Sequence, residues 1–141
     1  MSVPHALPDR DRVPLHKRVG PMIAVGAARL LSGLKPVKVC AVLAFLRRGA
    51  RPATEGQVLD ARRAIVSASL RCAGLACLQR SLAVALLCRS RGVWPTWCTG
   101  VRTSPFDAHA WVEVAGKPVG EPYPADHYRK ILTVPPLSED R

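Results

Sequence analysis

The sequence predicts an α+β domain, and three observations carry that prediction. Apolar residues recur at helical spacing through the first two-thirds of the chain, and the pattern turns to strand-like alternation after Gly92. No internal repeat or low-complexity tract interrupts this order. The length, 141 residues, suits one domain with a modest core. Hydrophobic residues make up 48% and aromatics only 5%, so aliphatic side chains must do most of the packing.

Residues 1–14 hold four charged residues and three prolines and predict a mobile arm. Two helices are expected next, Leu15 to Leu34 and Val37 to Arg48. Lys35-Pro36 separates them, since proline is tolerated in the first turn of a helix. Both are apolar on more than one side and must cover a core, a partner or a lipid surface. Gly49 to Pro52 is a loop. Thr54 then precedes a helix over Glu55 to Arg71, with Val58, Ala61, Ile65 and Ala68 close to helical spacing. Gly74 breaks that run.

From Cys77 to Arg91 a further helix presents Leu78, Leu82, Ala85 and Leu86 as one stripe. Val84 and Leu87 widen it, so this helix should be largely enclosed. Arg89 and Arg91 complement the dipole of its last turn, and Gly92 stops it. Strands follow over Trp94 to Val101 and His109 to Val114. In the second, His109, Trp111 and Glu113 share one face and Ala110, Val112 and Val114 the other. Ala115-Gly116-Lys117 is a turn, and Pro118 to Pro122 returns as a short edge strand, where proline is allowed. The proline- and charge-rich remainder is expected to be a loosely held tail.

The formal charge of +11 is high for a small domain and draws acidic partners of any kind. Nucleic acid would also require a recognition motif or aromatic platforms among the basic residues, and neither occurs. Five cysteines, at positions 40, 72, 77, 88 and 98, form no Cys-x-x-Cys pair. Cys72, Cys77, Cys98 and His109 match no common zinc spacing, so no metal or other cofactor is expected. The N-terminus lacks a secretory pattern, and Val19 to Ala28 is too short to cross a bilayer. Free thiols in a reducing, cytoplasmic setting, with no transmembrane segment, are the simplest reading.

The chemistry is carried by Cys77 and His109. A thiol must become a thiolate to attack an amide, and the first turn of a helix favours negative charge. Histidine can take the thiol proton and return it to the leaving amine. Glu121 is the expected orienting acid. A three-residue loop would set Val114 opposite Pro118 and Trp111 opposite Glu121, placing Glu121 diagonal to His109 on the same face. A one-residue slip would turn it away. Glu113 is the alternative acid. Trp111 is either packing or a wall of the substrate cleft. The Cys77 backbone N–H and Gln79 are candidate oxyanion donors.

Together these residues resemble a known family. Cys77-Leu78-Gln79-Arg80-Ser81-Leu82-Ala83, Arg91-Gly92-Val93, Thr99-Gly100-Val101, Pro105-Phe106 and His109-Ala110-Trp111-Val112-Glu113-Val114 look like the transglutaminase-like leader peptidase of lasso-peptide biosynthesis. The resemblance spans roughly residues 54 to 123. It implies a transglutaminase-like or papain-like fold, with N-terminal helices and the nucleophile helix packed on a small antiparallel sheet. It implies a triad of Cys77, His109 and an acid; the acid is usually aspartate in that family, and Glu121 takes its place here.

The implied reaction is cleavage of the leader from a ribosomally made precursor peptide. That exposes the core amine for ring closure by a separate ATP-consuming macrolactam synthetase, a further candidate partner. The resemblance also implies a separate leader-recognition protein, because the segment before the helices is too short to be that module. Residues 1–50 are then an arm and helical segment that could dock this partner, and residues 51–141 the peptidase core. The competing expectations are a non-catalytic transglutaminase-like scaffold that binds peptide or partner, and a basic nucleic-acid-associated domain.

Overall fold

The computed structural model describes residues 15–69 and 77–137. The expected arm, Cys72, the Gly74 break and the end of the third expected helix lie outside them. Among the described residues four helices, α1 (Leu15–Ser32), α2 (Pro36–Leu46), α3 (Glu55–Ala68) and α4 (Cys77–Ser90), precede the main sheet. Pro36 occupies the first turn of α2, where its missing N–H costs no hydrogen bond. Thr54 opens α3 with a reciprocal cap. Its hydroxyl accepts from the Gln57 N–H at 3.2 Å, and its own N–H donates to Gln57 Oε1 at 2.9 Å.

α4 is the centre of the molecule. Ser81, Leu82, Ala83, Val84, Ala85, Leu87 and Cys88 are all buried, so the helix is covered on nearly every side. α1 and α3 pack against it from one side and the sheet from the other. Ala24, Val25 and Ala28 of α1 join Leu82, Val84 and Leu87 in one buried cluster, so the first helix is part of the same core. The outer side chains Met22, Ile23 and Leu30 of α1 remain exposed. A buried hydroxyl on α4 is satisfied from the sheet, where the Trp97 indole N–H donates to Ser81 Oγ at 3.0 Å.

The sheet has four antiparallel strands in the order β5 (Lys117–Pro118), β4 (Phe106–Val114), β3 (Thr96–Thr103), β6 (Arg129–Val134). β1 (Arg51–Pro52) and β2 (Val93–Trp94) form a separate short parallel pair. β4 begins three residues earlier than the alternation alone indicates, and the returning strand β5 is shorter than expected.

The tail departs from expectation most. Residues Arg129–Val134 pair along β3 instead of hanging loose. Leu132 and Val134 turn inward, Tyr128 is buried just ahead of them, and the Trp94 indole donates to the Val134 carbonyl at 3.0 Å. The prolines bracket this strand without entering it. Its exposed Arg129 and Lys130 blunt the open edge.

Arg89 also acts elsewhere than its own helix end. Its Nε donates to the Leu46 carbonyl and its Nη2 to the Arg48 carbonyl at 3.0 Å, so it caps α2. Arg89→Met should therefore lower unfolding stability by about 1–3 kcal/mol in urea titration, because it leaves the part-buried Leu46 carbonyl without this donor. Arg91→Met, at an exposed position, should change it by less than about 0.5 kcal/mol.

Candidate active site

Cys77 begins α4 and lines an open cleft of about 250 Å³ with His109. Leu78 and Thr99 also line it, and Val101, Ala108 and Ile131 give it a largely apolar wall. Cys77 and His109 thus face one space, with the N–H groups of the α4 first turn beside Cys77. The other described cysteines lie in settings that suppress reactivity. Burial pushes the Cys88 thiol up to about 12, only partly opposed by Arg91. Burial, then the nearby Glu113 carboxylate, pushes Cys98 up to about 12 as well. Burial also raises Cys40.

His109 is held from three directions. Glu121 Oε1 accepts a hydrogen bond from its Nε2 at 2.6 Å, in a contact where the carboxylate side chain is 7% exposed. With the proton on Nε2, Nδ1 is the nitrogen left to accept another. Trp111 stacks on the imidazole, with centroids 5.7 Å apart and planes 14° apart, and the Tyr128 ring lies 5.2 Å away.

These supports are themselves fixed. The Trp111 indole N–H donates to Glu113 Oε2 at 2.9 Å, and Lys130 Nζ donates to Glu113 Oε1 at 2.7 Å. That hydrogen bond raises the Lys130 ammonium pKa against the opposing effect of burial. Tyr128 donates to Asp107 Oδ2 at 2.8 Å, and burial together with this carboxylate pushes its phenol up to about 12.

Glu121 reaches His109 by a different route from the expected register. The turn contains two residues, Ala115 and Gly116, both at positive φ, so Val114 pairs with Lys117 and Glu113 with Pro118. Continued regular pairing would put Glu121 opposite Ala110, on the face away from His109. Gly120 prevents this. Its φ of +73° breaks the alternation just after the Val119 N–H donates to the Val112 carbonyl at 3.0 Å, and the next side chain swings back under the imidazole. A second constraint acts at the same residue, since a Cβ there would fall 2.6 Å from Arg62 Cδ and Nε.

Among the residues singled out from sequence, the structure brings Cys77, His109, Glu121 and Trp111 into one neighbourhood. Gln79 lies apart from the cleft, its amide donating to Ser32 Oγ at the end of α1 at 3.4 Å. Trp111 lies against the imidazole and lines the small recess around His109 and Glu121. Glu113, the alternative acid, is committed to Trp111 and Lys130. Arg62, Gly120 and Tyr128 gave no signal in the sequence; only the positive-φ preference of glycine could have marked Gly120. Among the described residues no group of three or more His, Cys, Asp or Glu side chains is placed to hold a metal ion. None of the described helices is long and apolar enough to cross a membrane.

The family model of the transglutaminase-like superfamily matches residues 22–133. No curated protein and no solved structure matches the chain.

The raised thiols give a direct test. An unfolded cysteine ionises near pH 8.5, so between that pH and about 12 the folded chain keeps protons on Cys88 and Cys98 that the unfolded chain has lost. Their contribution is complete below pH 8.5 and declines as pH rises through the folded values. At pH 8, mass-spectrometric mapping of iodoacetamide adducts should find Cys77 labelled first, with Cys88 and Cys98 labelled only in denaturant. Equal labelling of Cys98 and Cys77 in the native chain would contradict this arrangement.

Proposed function

The chain belongs to the transglutaminase-like superfamily, which includes cysteine peptidases and acyltransferases, and from that premise we propose that it is a cysteine peptidase that removes the leader from a lasso-peptide precursor. One observation carries the proposal: Cys77 and His109 line the same cleft while the far nitrogen of His109 is held by Glu121 at 2.6 Å. The resemblance of residues 54 to 123 to the lasso leader peptidases narrows the substrate.

In this reading the Cys77 thiol gives its proton to His109 Nδ1, and Glu121 stabilises the imidazolium through Nε2. The thiolate attacks the carbonyl carbon of the leader–core peptide bond. The resulting oxyanion lies against N–H groups at the start of α4, the Cys77 N–H first among them. The tetrahedral intermediate collapses as His109 protonates the departing nitrogen. The core peptide leaves with a free amine, and the leader stays as a thioester on Cys77. Water, deprotonated by His109, then hydrolyses that thioester and restores the thiol. The freed amine is the group a macrolactam synthetase requires.

Capture of the leader is assigned to a separate recognition protein. Residues 15–48 carry no Asp or Glu, and α1 exposes Met22, Ile23 and Leu30 beside that basic surface. Such a face suits an acidic, partly apolar partner. Co-purification should recover the pair, and Ile23→Asp should weaken it. Complete leader cleavage by the isolated chain at catalytic concentration would count against the assignment.

The reaction itself is tested by mass spectrometry of the precursor peptide with the recognition protein present. Cys77→Ala should abolish cleavage, and His109→Ala should slow it by roughly 10²–10⁴-fold. Glu121→Gln should cost on the order of 10–100-fold, since it acts through the imidazole. Cys40→Ala should cleave normally. Full cleavage by Cys77→Ala would sink the proposal. A folded wild-type chain that binds precursor without cutting it would instead indicate a non-catalytic scaffold.

A further inference from the structure

The carboxylate that holds His109 has a second oxygen, and its surroundings are as constrained as those of the first. Arg62 Nη1 lies 3.6 Å from Glu121 Oε2, a charge contact longer than a hydrogen bond, while Glu121 Oε1 engages His109 Nε2. Arg62 projects from α3, an element outside the sheet that carries His109. Its side chain lies across Gly120 so closely that a Cβ there would collide with Cδ and Nε. The guanidinium is thus packed by the backbone of the residue just before the acid.

The placement carries a cost. Burial and the like charge of Arg80 both work against the Arg62 cation, and Glu121 is the group that favours it. Its neighbour Arg63 is instead exposed and pairs with Asp60 on the same helix at 3.6 Å. A half-buried cation held against a like charge, with its stem pressed on a positive-φ glycine, is poorly explained as a solvated surface charge.

We infer that Arg62 is a positioning residue for the proposed reaction: it fixes the Glu121 carboxylate by its second oxygen, so that the first is presented to His109 Nε2. The inference rests on the triad reading of Cys77, His109 and Glu121. Rotation of the glutamate side chain away from the imidazole would draw its second oxygen from the charge of Arg62, whose stem is itself seated over Gly120. Arg62 touches no reacting atom, and its influence passes through Glu121 alone.

That last condition is what makes the inference testable. Arg62→Met should lower kcat for precursor cleavage about tenfold with KM little changed, and Arg62→Lys should recover part of the loss. In a Glu121→Gln background, Arg62→Met should cost less than about twofold more, because the group it acts on is already gone. Multiplicative losses in the double variant would overturn the inference.

A second measurement needs no substrate. In the wild-type chain the His109 Nε2–H should give a protected, downfield proton resonance. It should exchange with water about tenfold faster in Arg62→Met than in wild type or Arg62→Lys. An unchanged resonance in a folded Arg62→Met chain would also overturn it. Should the wild type cut no precursor yet show this loss of protection, the proposed reaction fails while the positioning role of Arg62 stands.

Discussion

Because α4 is buried around nearly its whole circumference, its direction in the molecule is set by packing on both sides and not by the cleft it serves. Ser81 to Ala85 are enclosed without a break, and the small residues Ser81, Ala83 and Ala85 let α1, α3 and the sheet approach closely. A helix so enclosed can offer chemistry only at an end. The N-terminal end carries Cys77 to the cleft, where the helix dipole favours a thiolate. The remaining site residues must come from elements that can be placed against that fixed end, and β3 and β4 meet this requirement. The Trp97–Ser81 hydrogen bond ties sheet to helix one turn beyond the thiol.

Two carboxylates are buried behind this cleft in a chain of net charge +11, and each is matched by a cation from a different element. Glu113 is 1% exposed and pairs with Lys130 of β6; Glu121 pairs with Arg62 of α3. An unpaired carboxylate in either place would carry a desolvation cost of several kcal/mol. The two pairs flank the His109–Trp111 stack. Glu113 holds the indole in plane, the indole supports the imidazole, and Glu121 fixes the tautomer. The strand that supplies Lys130 is the segment whose prolines and charges suggest a loose tail, so that segment contributes to the orientation of His109 through Glu113 and Trp111.

Helices were legible in the sequence because their signals are local: Thr54 ahead of a helix, Pro36 in a first turn, and apolar spacing from Val58 to Ile65. Cys77 and His109 were legible for the same reason, a helix start and an alternating strand. Arg129–Val134 was not, because the prolines at 122, 124, 135 and 136 dominate its surroundings while the hydrogen bonds that order it come from β3, some thirty residues earlier. Glu121 shows a different limit. Its placement beside His109 agrees with the expectation, but the register argument behind that expectation does not hold; a two-residue turn reversed the face and Gly120 reversed it again. Arg62 lies on the solvent side of a helical pattern and would be read as one arginine among many. Nothing short of the chain path from Pro118 to Glu121 distinguishes it from Arg63.

Glycine has a structural task on both sides of the imidazole, and the two cases explain how so few aromatic residues can build a precise site. Gly100 lies directly across from His109 in the β3–β4 register, and a Cβ there would sit 2.7 Å from the Arg129 carbonyl and 2.9 Å from Trp111 Cη2. Its bare backbone is what lets the indole slide beneath the imidazole while β6 closes in at the bulge beside Thr99. On the other side Gly120 leaves room for the stem of Arg62. In both places a missing side chain is replaced by a large planar group from elsewhere in the fold, an indole or a guanidinium. Adding a methyl at either position would displace a support of His109 without touching Cys77. His109 is therefore held by large side chains that two gaps in the backbone wall around it admit.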